Sequence, residues 1–136
     1  MLMTDLTEEQ AQDIEMRLNA YDEKHIACKK EGAVRIGVEE DGKLIAGLDA
    51  CITAFRILYV STVFVEEAYR RKGIGTALIR EMEKRAAAMG VNTIRLDTFD
   101  WQGREFYEAL GYQTVGQYQN AEDGYAEYFF LKRISQ

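Results

Sequence analysis

Between Arg56 and Met89 the apolar pattern changes period, and that change limits what the chain can fold into. Arg56 to Val65 is rich in β-branched and aromatic residues (Ile57, Tyr59, Val60, Val63, Phe64 and Val65). It is apolar on both parities, as expected of a strand covered on both faces. From Gly73 to Met89 the apolar residues Ile74, Ala77, Leu78, Met82, Ala86 and Met89 recur at threes and fours, the period of a helix with one buried side. Gly90 stops that helix as a C-cap. Thr93 to Phe99 then alternates through Ile94, Leu96 and Thr98, which completes a β-α-β unit.

The flanks add simpler signals. Thr7 to Tyr21 reads as a helix, with Thr4 or Thr7 as cap, Glu8 and Glu9 in the first turn, and Ile14 and Leu18 on one face. Ala33 to Glu39 and Leu44 to Thr53 alternate around Asp41-Gly42, a hairpin turn. A short helix from Gly103 to Leu110 is ended by Gly111. Strands follow at Gln113 to Gln117 and Tyr125 to Arg133. The order is helix, three strands, helix, strand, helix, two strands. It predicts an α/β (α+β) fold with a mixed, mostly antiparallel central sheet and helices on both faces. With 136 residues and no proline there is no sign of a linker, so one domain over 1–136 is expected.

Charge narrows the partners. Lys plus Arg total 17 against 23 Asp plus Glu, a formal net charge of −6. That balance argues against nucleic acid and against an anionic membrane surface, and favours cationic small molecules. The opening Met1 to Leu6 has neither the basic nor the apolar stretch of a signal peptide. The longest strongly apolar run, Ile57 to Val65, is too short to span a bilayer. Cys28 and Cys51 are the only cysteines, which suits a reducing cytoplasm, and with the lone His25 they make no four-ligand zinc site; no metal is expected.

Arg70-Arg71-Lys72-Gly73-Ile74-Gly75-Thr76 joins the β-rich segment to the long helix. A helix start presents unpaired N–H groups and a positive dipole end. Gly73 and Gly75 let a ligand approach the backbone, the three cations add charge, and Thr76 adds a hydroxyl. Together they form a site for phosphate or pyrophosphate; a basic loop with a glycine-softened helix start is the plainer alternative. A Walker A loop is excluded because Lys72 precedes Gly73, and a dinucleotide fingerprint because Leu78 stands where a third small residue is needed.

Val63-Phe64-Val65 running into Arg70-x-x-Gly73-x-Gly75 resembles the acetyl-CoA-binding motif of the GNAT N-acetyltransferase superfamily. Phe106-Tyr107-Glu108-Ala109-Leu110-Gly111-Tyr112 is similar to that superfamily's Phe-Tyr-x-x-x-Gly-Phe/Tyr run. Phe99-x-x-Gln102 is similar to one small bacterial subgroup. The resemblance covers Leu44 to Arg133. Glu67 departs from it where many members carry proline, and Gly103-Arg104 replaces the subgroup's Ala-Pro.

The resemblance implies acetyl-CoA as cosubstrate and direct transfer of acetyl to a primary amine of a small molecule or peptide. It implies pyrophosphate binding by backbone N–H groups from Arg71 to Thr76, with Arg70, Arg71 and Lys72 either on the phosphates or solvated. It further implies pantetheine pairing along Val63, Phe64 and Val65, with the next strand splayed away, and an oxyanion contact from a backbone N–H near Val65 or Phe64. Tyr107 falls where the family places a tyrosine near the sulfur, as general acid. Gln102 either bonds the pantetheine arm or caps the short helix. For the general base, Asp97, Glu66 and a water relay stay open; both carboxylates read by default as solvated. Trp101 is either an acceptor-facing ring or a lid on the core. Tyr118, Tyr125 and Tyr128 line an acceptor cleft or are one wet face of alternating strands. The Lys29-Lys30 and Lys132-Arg133 pairs look solvated. Two other functions compete with the enzyme. One is a catalytically silent acyl-CoA-binding module, acting as sensor or partner subunit. The other is a scaffold in which Phe129, Phe130 and Leu131 form a homodimer edge, although core burial explains them as well.

Overall fold

The computed structural model describes residues 1–28 and 30–135. The helix signal near the start becomes α1 (Glu8–Glu23). Thr7 is its cap, in a capping box with Gln10. The hairpin is β1 (Ala33–Glu40) and β2 (Lys43–Ala54), turning through Asp41 and Gly42 at φ 53° and 77°. Then come β3 (Ile57–Val65), a 3₁₀ turn at Glu67–Tyr69 that the pattern did not announce, and α2 (Ile74–Ala88). β4 (Thr93–Phe99), α3 (Arg104–Ala109), β5 (Gln113–Asn120) and β6 (Tyr125–Arg133) complete the order.

The strands form one six-stranded sheet in the order β1-β2-β3-β4-β6-β5. Every pairing is antiparallel except β3 with β4, so the mixed, mostly antiparallel sheet is as expected. Helices α2 and α3 share one face. Leu78, Ile79, Met82 and Ala86 of α2 and Tyr107 of α3 join Leu58, Ile94, Leu96 and Phe130 in a single core cluster. Glu83 ties the two together: it accepts from Tyr112 Oη at 2.9 Å and from Lys132 Nζ at 2.9 Å, while Lys132 also donates to the Leu110 carbonyl at 2.8 Å. Lys132 is therefore a core strut rather than a solvated charge. Lys29 of the other basic pair lies outside the described residues.

Helix coverage differs from the expectation of helices on both faces. α1 buries no residue, and the sheet face opposite α2 is uncovered within the chain, with Asp49, Arg95, Asp97 and Phe129 on it. β3 explains why its apolar pattern misled. Thr62 pairs with Asp49 and Val60 with Ala50, which leaves Ser61 as an extra residue in a β-bulge, held by Ser61 Oγ donating to the Asp49 carbonyl at 3.1 Å. Leu58 and Val60 face the core before the bulge, and Val63 and Val65 pack against it afterwards. Apolar residues on both parities thus report a switch of face, not cover on two. β6 is an interior strand between β4 and β5, and Phe130 is buried, so Phe129 to Leu131 form no sheet edge.

Candidate active site

The bulge at Ser61 has a consequence for the neighbouring strand. β3 and β4 pair only through Ile57–Thr93, Leu58–Ile94 and Tyr59–Arg95; beyond Tyr59 they separate. A bulge sharpens twist and ends pairing, so the outer half of β3 keeps β2 on one edge and has no strand on the other. The separation leaves a slot through the sheet of about 270 Å³. Val60, Leu96, Thr98 and Tyr107 line it from the helix side, and Thr62 and Asp97 from the open face.

The slot runs into a larger cleft of about 1230 Å³ at the start of α2. The cleft is bordered by Val63, Phe64, Val65, Arg70, Arg71, Gly73, Ile74, Gly75, Thr76, Gln102 and Tyr107. Of the residues that the resemblance assigns to the carrier, Lys72 alone does not line it; its ammonium lies 5.5 Å from the Tyr69 ring centroid. The loop bends through Arg71 at φ 63° and Gly73 at φ 82°, both left-handed. For Arg71 this is strain of about 1–2 kcal/mol, of the kind that collects at functional loops. The first bond inside α2 is Ala77 N–H to the Gly73 carbonyl at 3.0 Å. The N–H groups of Ile74, Gly75 and Thr76 are thus left without a helical acceptor at the edge of the cleft. The two glycines do different work. Gly73 supplies the left-handed turn, whereas Gly75 makes room for a neighbour: a Cβ there would stand 3.3 Å from Phe106 Cζ.

Arg70 is not a free phosphate ligand. Its Nε donates to the Val65 carbonyl at 2.8 Å and its guanidinium sits 5.5 Å from the Phe64 ring centroid, which ties the loop to the end of β3. Gln102 Oε1 accepts from the Phe99 N–H at 2.8 Å, so it caps the end of β4 rather than the short helix, while still lining both cavities. Tyr107 lies 8% exposed, its ring packed against Phe106, Tyr112 and Phe130. Burial pushes its phenol up to about 12. Asp97 borders the slot and accepts from Tyr59 Oη at 3.0 Å. The Tyr59 phenol is raised, by burial first and then by that carboxylate. Glu66 lines neither cavity.

Trp101 is 69% exposed and stacks on Phe99 at 4.8 Å. Tyr128 borders the cleft beneath the Arg104 guanidinium, 4.5 Å from its centroid, whereas Tyr118 and Tyr125 stand on the open face. Arg104 was not singled out from sequence; a cation in the first turn after the Gln102-Gly103 approach was the available signal.

The sequence model of the Acetyltransferase (GNAT) family matches residues 2–112. The chain belongs to this family. The match begins well before Leu44, where the motif resemblance starts. A crystal structure of an acetyltransferase from Bacillus cereus superposes with a TM-score of 0.93 at 27% identity, covering 98% of each chain. An L-ornithine N5-acetyltransferase of Arabidopsis thaliana is 34% identical over 62 residues, which is 44% of this chain but only 27% of that enzyme. An aminoglycoside 6'-N-acetyltransferase crystallised with coenzyme A shares the fold at a TM-score of 0.68 and 19% identity, over 100% of this chain and 99% of that one. In this GNAT chain the strand separation, the loop before α2 and Tyr107 occupy one connected space. No helix among the described residues is long and apolar enough to cross a membrane.

Proposed function

We propose that this GNAT protein, acting as one domain, transfers acetyl from acetyl-CoA directly to a primary amine of a small molecule or peptide. The observation that carries the reading is the parting of β3 and β4 beyond Tyr59–Arg95, which joins the start of α2 to Tyr107 through one slot. The residues suit each part of the carrier. N–H groups of Ile74, Gly75 and Thr76, with Arg71 beside them, hold a diphosphate. The unpaired edge of Val63, Phe64 and Val65 takes an extended amide arm as a further strand would. A backbone N–H at Phe64 or Val65 receives the charge that develops on the carbonyl oxygen.

As the amine nitrogen bonds the acyl carbon, the carbon–sulfur bond breaks and the thiolate needs a proton. Tyr107 provides it. A phenol at about 12 stands roughly 3.5 units above an ordinary thiol near 8.5, so full transfer ahead of bond breaking costs about 5 kcal/mol. Tyr107 therefore acts as a hydrogen-bond donor to sulfur as charge grows, and the proton moves with the breaking bond. The acceptor ammonium gives one proton to water before it attacks, and the proton shed by nitrogen as the amide forms returns through water to the Tyr107 phenolate. Asp97, at the open-face side of the slot, draws the acceptor's ammonium toward it, and the net charge of −6 favours the same cationic acceptors. The ornithine and aminoglycoside enzymes among the relatives are named for amines of that class. The free Cys28 and Cys51 suit the cytoplasm.

Thiol release from acetyl-CoA in the presence of diamines, aminoglycosides and Lys-terminated peptides tests the reading. Release that depends on the amine supports it. Acetyl-CoA binding with no release on any amine would leave only a silent acyl-CoA-binding module.

A further inference from the structure

Two apolar surfaces take no part in the chemistry above, and neither is covered within the chain. The first is α1. Every residue from Met1 to Tyr21 is exposed, yet Ile14, Leu18 and Tyr21 recur at four and three along the helix and form an apolar stripe. A helix of this length gains its stability from burying such a stripe rather than from propensity. The second is the open sheet face over β4, β6 and β5. There Phe99 meets Tyr125 edge-on, Tyr125 meets Tyr118, and Tyr118 stacks on Phe129. Tyr118 remains 44% and Phe129 37% exposed. A continuous aromatic run on an uncovered sheet is the signature of a contact surface rather than of scattered apolar residues.

The position of α1 recurs. Residues 1–23 are about a sixth of the chain, and a superposition that missed them could not reach the agreement found with the Bacillus cereus crystal structure over 98% of the chain. A helix held off its own body in two proteins is held by something outside that body. α1 carries Glu8, Glu9, Asp13, Glu15, Asp22 and Glu23 against Arg17 alone. The open face over β4 and β6 sets Arg95 and Arg133 beside Asp97 and Glu127, so its charge is balanced and the apolar side chains lead the contact.

We infer that the protein forms a two-fold dimer in which α1 of each copy lays its Ile14–Leu18–Tyr21 stripe on the Phe99–Tyr125–Tyr118–Phe129 face of the other. Such an arrangement uses the same two surfaces twice and closes on itself. Ile14, Leu18, Tyr21, Tyr118 and Phe129 are 37–60% exposed, which leaves roughly 100 Å² open on each, so a contact made twice covers about the ~1,000 Å² a stable interface needs. The partner's helix then lies against Phe99, on which Trp101 of the cleft wall stacks.

Sedimentation equilibrium of the full chain, from about 1 to 100 μM, reads the result, since an interface of this size holds at micromolar concentration. Wild type is expected to be dimeric at tens of micromolar. Ile14→Glu with Leu18→Glu should give a folded monomer with native circular dichroism, because those side chains are exposed in their own copy. Phe129→Glu, or Tyr118→Glu if the first variant folds poorly, should also be monomeric. Mixing the helix variant with the face variant leaves one intact docking per pair and should yield a heterodimer. A monomeric wild type, a helix variant that stays dimeric, or a mixture that does not associate would each overturn the inference.

Discussion

Tyr59 pairs with Arg95 across β3 and β4 and is the last residue of β3 to do so. On the open face its hydroxyl reaches over to Asp97 at 3.0 Å, so the point where the strands part is also where a carboxylate is fixed beside the slot. The bulge at Ser61, two residues further along, turns the rest of β3 away. One extra residue therefore creates the unpaired strand edge, the slot, and the placement of Asp97 at its open-face side.

If Asp97 draws in the acceptor, Asp97→Asn should raise KM for a cationic amine about tenfold, the value of one charge-assisted hydrogen bond of ~1.5 kcal/mol. KM for acetyl-CoA should stay within about threefold, since no phosphate-binding group is touched. Steady-state kinetics with each substrate varied in turn would check this. An unchanged amine KM would remove Asp97 from the acceptor site.

Tyr107→Phe keeps the ring packed against Phe130 and Tyr112 and deletes only the hydroxyl. The expected loss is about 10²-fold in kcat, the lower range for a general acid, with little change in KM for acetyl-CoA. Because the phenol stays protonated until about pH 12, Tyr107 should put no alkaline limb on the kcat profile below about pH 10. Equal kcat values for the two proteins would end its role.

The same shift makes a stability statement. Tyr107 is near 10.0 when unfolded and about 12 when folded, so the neutral form is favoured by the native state. Its contribution is fully present below pH 10 and is lost as pH rises toward 12. Urea unfolding should show about 1.4 kcal/mol less stability at pH 11 than at pH 8 from this group, and Tyr107→Phe should flatten that slope. Tyr112, raised by burial first and then by Glu83, acts in the same direction and remains in the variant. A slope that Tyr107→Phe leaves unaltered would contradict the burial argument.

Glu83 is the joint between α2, the end of α3 and β6. Its side chain is 13% exposed and holds Tyr112 Oη and Lys132 Nζ. Glu83→Ala strands the Tyr112 hydroxyl, leaves the Lys132 ammonium only the Leu110 carbonyl and should cost about 2–3 kcal/mol, while Glu83→Gln, which keeps an acceptor, should cost less. Denaturant titration separates them, and a loss below about 0.5 kcal/mol for the alanine variant would show the joint to be weak.

Most of the element order was legible because strand and helix periods alternate cleanly between Ala33 and Arg133. The loop proposed for the phosphates was legible as a candidate because its chemistry is local: glycines, cations and a helix start in seven residues. What the sequence concealed came from register and from contact. The bulge at Ser61 looks like a strand buried on both sides, because a parity switch and two-sided burial leave the same pattern. Gly75 reads as a ligand-facing glycine, yet its missing Cβ is what lets Phe106 approach. Arg70 looks like a phosphate contact or a solvated cation, and Lys132 like a solvated one, until the Val65 and Leu110 carbonyls they bind are seen. The apolar stripe of α1 is visible in the sequence, but nothing in it says that the chain's own sheet leaves the stripe uncovered.

An acetyl-CoA titration followed by amide ¹⁵N–¹H shifts tests the central claim most directly, because it reports where the carrier lies before any chemistry. The account predicts saturable shifts concentrated at Val63 to Val65 on β3 and at Gly73 to Thr76 at the start of α2, with Phe106 and Tyr107 following. Shifts confined to other strands, or none at millimolar acetyl-CoA, would contradict it.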